Sequence, residues 1–275
     1  MNKAFSLVEL SIVLVILGLL TGGILAGQSL IRAAELRAVS TEYNRWITAV
    51  HAFRDKYMGL PGDMANATKF WGALDGNDGY GADCRGENTA TGTCNGNGDG
   101  RIIGYDVTIN TSQTFETYLF WNHLSRAGLI EGSYSGSTAS GSATACMNAS
   151  YGSVPGCNVA TSKLGTQGMW QILHNGILTG DNNLFDGSYG NSLFLTVGPG
   201  WQNPIGGLLK IEELWNIDTK MDDGKPGTGK LVASRWNQCT EGAASTADYN
   251  IATYMLNPPS YATGNRCIPV FRNVF

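Results

Sequence analysis

Ala4-Phe5-Ser6-Leu7-Val8-Glu9-Leu10 opens a stretch in which no further charge occurs after Glu9 until Arg32. A short leader carrying Lys3 precedes it, and a small residue, Ala4, separates the leader from Phe5. The run from Leu10 to Gly27 is apolar and long enough to span a bilayer, for which about 20 residues are needed. Burying a lone carboxylate in hydrocarbon costs several kcal/mol. Glu9 therefore predicts a partner, and that partner can belong to another molecule. An ordinary secretory signal is cleaved after its apolar core, whereas here the small residue lies before it. A plain membrane anchor explains the length of the run but not the Phe5–Glu9 spacing.

The helical pattern continues beyond Arg32. Val39, Tyr43, Trp46, Ile47, Val50, Phe53 and Tyr57 recur at steps of three and four, the spacing of one apolar face. Gly59-Leu60-Pro61-Gly62 stops the helix. From Phe5 to Tyr57 the rise of 1.5 Å per residue gives a spine of ~80 Å. No water-soluble domain needs such a length, and a filament core does. Gly18, Gly22, Gly23 and Gly27 are weak helix formers that permit close packing or local unwinding.

These residues carry a family resemblance. The stretch Ala4 to Leu10 resembles the processing signal of type IV pilins and type II secretion pseudopilins. The resemblance implies cleavage between Ala4 and Phe5 on the cytoplasmic side by prepilin peptidase, then N-methylation of Phe5. It implies that Glu9 meets the Phe5 ammonium of a neighbouring subunit during assembly on an inner-membrane platform. The family usually has Gly before the cut, and Ala4 is a permitted variant. It often has a proline within the spine, which this chain lacks. A second stretch, Trp215-Asn-Ile-Asp218-Thr-Lys220-Met-Asp222-Asp223-Gly224-Lys-Pro226-Gly-Thr-Gly229, resembles the C-terminal part of a subset of large bacterial pilin-like proteins. The two resemblances cover about residues 1–62 and 208–267.

Composition sets bounds on the rest. The chain has 275 residues, ample for one sizeable domain beyond the anchor. Its net charge of −4 gives no nucleic-acid footprint. Charged residues make up 15%, below the about 25% usual for soluble domains, so Gly, Asn, Ser and Thr must supply the polar surface. Six cysteines admit 15 pairings. Each sequential pair lies within one loop-like stretch, which predicts Cys84–Cys94, Cys146–Cys157 and Cys239–Cys267. Loops of this size each contribute roughly 3 kcal/mol by restricting the unfolded chain. Disulfides place the domain in the periplasm or outside the cell. No Cys-x-x-Cys spacing points to a metal instead.

The expected fold class is α+β and pilin-like: a long N-terminal helical spine packed on a small antiparallel sheet with disulfide-pinned loops. The expected division is a leader over 1–4, a transmembrane or filament-core half-helix over 5–31, an amphipathic half over 32–62 and an extracytoplasmic head over 63–275. Asp63 is expected to cap a short helix over Met64 to Leu74. Residues 75–113 read as an irregular insertion, Thr114 to Gly128 as a helix, and 132–168 as a surface loop. Met169–Leu173 and Ser192–Val197 read as strands, Leu208 to about Met221 as an amphipathic helix, and Leu231–Arg235 as a strand.

Two acidic stretches are candidate calcium sites. Asn95, Asn97, Asp99, the Arg101 carbonyl and Asp106 fall at EF-hand positions, with Gly100 at the sharp turn. Asn stands where the loop usually has its first Asp, and Asp106 where it has a bidentate Glu; a Gly/Asn turn tethered by a disulfide is the competing reading. Asp75, Asn77 and Asp78 are further oxygen donors nearby. Asp218, Asp222 and Asp223 are a candidate by the resemblance, since pseudopilins often bind calcium in a C-terminal loop. Turn chemistry at Asp222-Asp223-Gly224 is the alternative there. Gly224 to Lys230 nearly spells a P-loop, but Leu231 replaces the magnesium-binding hydroxyl, and the segment follows a helix instead of a strand. His51, His123 and His174 lie in no catalytic or metal motif, and no Gly-x-Ser-x-Gly elbow occurs. The expectation is a non-enzymatic pilus or pseudopilus subunit, with its head outside the inner membrane and its partners other subunits and lipid. A membrane-anchored binding module or adhesin is the alternative.

Overall fold

A computed structural model of the chain describes residues 7–73, 92–104, 116–136, 153–165, 167–181, 184–197, 206–234, 239–241, 253–254 and 267–275. Helix α1 runs unbroken over Leu7–Tyr57, 51 residues. It buries Val39, Trp46, Ala49, Val50 and Phe53, the face expected from the spacing. The Phe53, Tyr57 and Trp71 rings pack together where the helix ends. Among the described residues three helices follow: α2 (Thr68–Trp71), α3 (Glu116–Arg126) and α4 (Ile211–Met221).

The sheet is antiparallel. Its strands are β1 (Ala160–Thr161), β2 (Gly168–Leu178), β3 (Gly187–Val197), β4 (Leu231–Ala233) and β7 (Pro269–Phe271), in the order β1-β2-β3-β7-β4. A separate pair joins β5 (Thr240–Glu241) to β6 (Thr253–Tyr254). Period-two alternation sorts the residues onto two faces. Ile172 lies opposite Leu193, Leu193 opposite Phe271, and Phe271 opposite Leu231, one apolar row across four strands. That row belongs to the core beneath α1, where Tyr43 stacks on Phe271 at 4.3 Å between ring centroids. The alternate residues Phe194, Val270 and Val232, with Leu173, Tyr189 and Ile268, form a second apolar cluster on the other face. The architecture is thus α+β, with a long N-terminal helix on a small antiparallel sheet.

One local expectation is corrected. Asp63 does not cap a helix over Met64 to Leu74; the helix is the single turn Thr68–Trp71. The Asp63 carboxylate instead accepts the amides of Gly98, Asp99 and Gly100, at 2.6, 3.0 and 2.9 Å. A distant loop supplies better donors than the adjacent turn. The strands also extend past their expected bounds, β2 to Leu178 and β3 back to Gly187. Cys239 and Cys267 are joined by a disulfide. Cys94 and Cys157 are also disulfide-bonded, while Cys84 and Cys146 lie outside the described residues.

Glu42 ties α1 to the sheet. It is 8% exposed, and its carboxylate accepts Ser162 Oγ–H at 2.7 Å, the Lys163 amide at 2.8 Å and Trp170 Nε1–H at 2.8 Å. Glu42→Ala strands those donors, each at roughly 1–3 kcal/mol when buried. The expected result is a loss of about 3 kcal/mol or more, with a smaller loss for Glu42→Gln, which keeps one acceptor. Thermal unfolding of the full chain in detergent, followed by circular dichroism, measures it; an unchanged Tm for the alanine variant would refute the anchor.

Candidate functional site

Among the described residues nothing covers the first half of α1. No residue of its 18-residue apolar window is buried, and the window's mean hydropathy is 2.4, long and apolar enough to cross a membrane. Its hydroxyls turn inward: Ser11, Thr21 and Ser29 donate to carbonyls of their own helix. Side chains that satisfy themselves in this way make little demand on an apolar surround. Glu9 lies on the exposed first turn. Ala4 and Phe5, the expected processing residues, lie outside the described residues.

The change from uncovered to covered helix falls at Arg32. Its guanidinium forks onto Glu213, with Nε donating to Oε1 and a terminal nitrogen to Oε2, both at 2.7 Å. It also donates to Glu35 at 3.0 Å and to the Leu208 carbonyl at 3.2 Å. Burial alone would push the Glu213 carboxyl up; the Arg32 hydrogen bond and the Lys210 amide outweigh it and hold the group below its usual range. Glu213 accepts that Lys210 amide at 2.8 Å, so one carboxylate caps α4 and clasps α1. Such bidentate, charge-assisted pairs carry more weight than ordinary surface ion pairs.

At the far end of α1 the chain turns into the head under two side chains of α3. His123 Nδ1 accepts the Gly62 amide at 2.9 Å, and Nε2 lies 3.1 Å from the Cys94 carbonyl, which places the proton on Nε2. Burial lowers the His123 pKa to about 4, so the ring is neutral. Glu116, with no exposed surface, accepts the Asn97 and Ile103 amides at 3.0 Å each. Burial raises its carboxyl to about 7. Gly62 has φ 88°, and a Cβ there would sit 2.6 Å from the Glu116 carbonyl oxygen, so only glycine fits the turn.

The EF-hand-like residues are arranged differently from the expected ligand set. Asn95 Oδ1 accepts the Thr68 amide, Asn97 Oδ1 the Asp99 amide and Asp99 Oδ1 the Arg101 amide, each at 2.9 Å. Asp106 lies outside the described residues, as do Asp75, Asn77 and Asp78. The acids that converge are Asp63, Asp99 and Glu116, whose oxygens lie within 4.8 Å of one another. Asp218, Asp222 and Asp223 converge as closely. There Asp222 accepts the amides of Lys230 and Leu231, while Asp223 accepts the Lys225 amide and the Thr228 hydroxyl. In both clusters the chain's own amides are drawn to the carboxylates, the arrangement of a loop anchor. The P-loop-like segment is the turn held by Asp222 and Asp223, between α4 and β4.

His51 is exposed on α1, and His174 Nδ1 lies 3.1 Å from Asn191 Oδ1 within the sheet. The residues that reasoning from sequence missed are Arg32, Glu42, Glu116 and Glu213. Glu42 carried a signal: it is an acid on the face set by Val39 and Trp46. No protein-family model matches the chain, and neither does any curated protein or solved structure.

The two buried titratable groups of α3 oppose one another in acid. His123 titrates below its unfolded value of 6.5, so its contribution is complete above pH 6.5 and is lost as pH falls towards 4. Glu116 titrates above its unfolded value of 4.5, so its contribution is complete below pH 4.5 and is lost as pH rises towards 7. Between pH 4.5 and 6.5 the slopes therefore partly cancel. Glu116→Gln removes one of them, and denaturant titrations across pH 4–7 should show a steeper acid loss than in the parent. Parallel pH profiles for the two proteins would contradict the assignment.

Proposed function

We propose that this chain is a pilin-like structural subunit that joins a type IV pilus or type II secretion pseudopilus through its N-terminal helix. The observation that carries the reading is α1 itself, one helix of 51 residues whose second half is built into the head and whose first half is apolar and uncovered. Before assembly that half would lie in the inner membrane, with the N-terminus cytoplasmic and the disulfide-bonded head outside. Afterwards it would exchange lipid for the helices of other subunits. Cleavage between Ala4 and Phe5, methylation of Phe5, and a charge-assisted hydrogen bond from a neighbour's Phe5 ammonium to Glu9 follow from the resemblance of residues 4–10. On this reading the chain carries no catalytic activity, and its partners are other pilin-like subunits, the prepilin peptidase and the assembly platform.

The mature N-terminus decides the class. Mass spectrometry of the purified protein is expected to find Phe5 or N-methyl-Phe5 first; an intact Met1 would overturn the reading. Glu9→Ala is expected to be processed normally yet lost from sheared filament fractions. Scrambling residues 5–9 at constant hydrophobicity separates this reading from a tethered adhesin, whose surface display and binding would survive the change.

A further inference from the structure

We infer that the base of the head, formed among the described residues by the Leu208 carbonyl and the first turn of α4, rests in the headgroup layer of a zwitterionic bilayer while the chain is anchored by α1. The inference builds on the membrane half of the preceding proposal and on no part of the filament half.

The helix leaves no slack between membrane and head. Leu10–Ile31 holds no charged residue and rises about 33 Å, against a hydrocarbon core of ~30 Å. Spanning that core uses nearly the whole stretch, including the exposed Leu30 and Ile31. The next residue, Arg32, is already clasped to the head through Glu213 and the Leu208 carbonyl. Residues 7–57 form one continuous helix, so no flexible linker lets the head lift away. The base must then lie within about one helical turn of the hydrocarbon, inside the interfacial layer.

The direction of α4 sets which residues face the lipid. Its first turn meets Arg32, while Asp222, just past its far end, accepts the amide of Leu231, which lies opposite Phe271, the ring on which Tyr43 stacks. α4 therefore runs alongside α1 in the same sense and points its N-terminus at the membrane. Among the described residues the charges there are Arg32 and Lys210 against Glu35, Glu212 and Glu213, with Arg32 paired to both Glu35 and Glu213. A base that carries both signs and no excess of cations suits the paired phosphate and ammonium of a zwitterionic headgroup and gives no reason for an anionic lipid to bind more tightly.

The test places nitroxide labels on the full chain in phosphatidylcholine nanodiscs. Attachment through an encoded ketone residue leaves the six native cysteines untouched. Labels at Leu14, Lys210 and Lys220 are compared by power saturation with oxygen and with a water-soluble nickel chelate. The expected result is oxygen access alone at Leu14, reduced chelate access at Lys210, and chelate access typical of bulk water at Lys220. Lys210 as accessible as Lys220, with Leu14 in lipid, would overturn this inference and leave the anchor standing. Chelate access at Leu14 would overturn the anchor, and this inference with it. Replacing a third of the lipid with phosphatidylglycerol should leave Lys210 at the same depth; a label that reaches the headgroups only in the anionic discs would overturn the zwitterionic assignment.

Discussion

One helix in two surroundings is the constraint on which this molecule is built. A 51-residue helix in water would expose apolar surface along its whole length, and its two halves need different cover. The head solves the problem for the second half by offering the row Ile172–Leu193–Phe271–Leu231, with Trp170 and Leu195 beside it. Nothing among the described residues solves it for the first. The changeover occurs within a few residues. Ile31 is exposed, Arg32 is clasped, and by Val39 the helix has a fully buried side chain.

Carboxylates hold the head together at the points where helices and sheets do not. Glu42, Asp63, Glu116, Asp222 and Glu213 each accept backbone amides from segments outside their own turn or cap a helix. This suits a chain rich in glycine and short polar residues, whose loops bring many free amides and few apolar side chains. A carboxylate can gather two or three such amides at once, which no neutral side chain does as well. The same physics accounts for the clustered acids of the 95–103 and 218–231 segments, which from sequence resemble cation loops and in the fold gather amides.

Legibility followed the range of the interactions. Helices α1, α3 and α4 were readable because a 3.6-residue period repeats over many turns. The centres of β2 and β3 were readable from their apolar residues, but the Gly187-Ser-Tyr-Gly-Asn191 end of β3 offers no apolar run to mark it. β7, three residues long, is too short to show a period. Asp63 was misread because a capping rule sees only the next turn, while its amide donors lie about 35 residues away. Arg32 and Glu213, 181 residues apart, leave no local trace of each other.

The strand order carries a consequence for how the molecule is made. β7 follows β3 and β4 in the chain yet lies between them, pairing with both. As the chain leaves the ribosome, β3 and β4 emerge first and have no edge to share. The sheet stays open until Pro269–Phe271 arrives, and Cys267 brings the other half of the Cys239 disulfide with it. Until then α1 lacks the aromatic floor of Phe271, although Trp71, Trp121 and Trp170, which also pack around it, come earlier in the chain. The core beneath α1 is therefore completed at the Tyr43–Phe271 contact by a strand that inserts between two earlier ones.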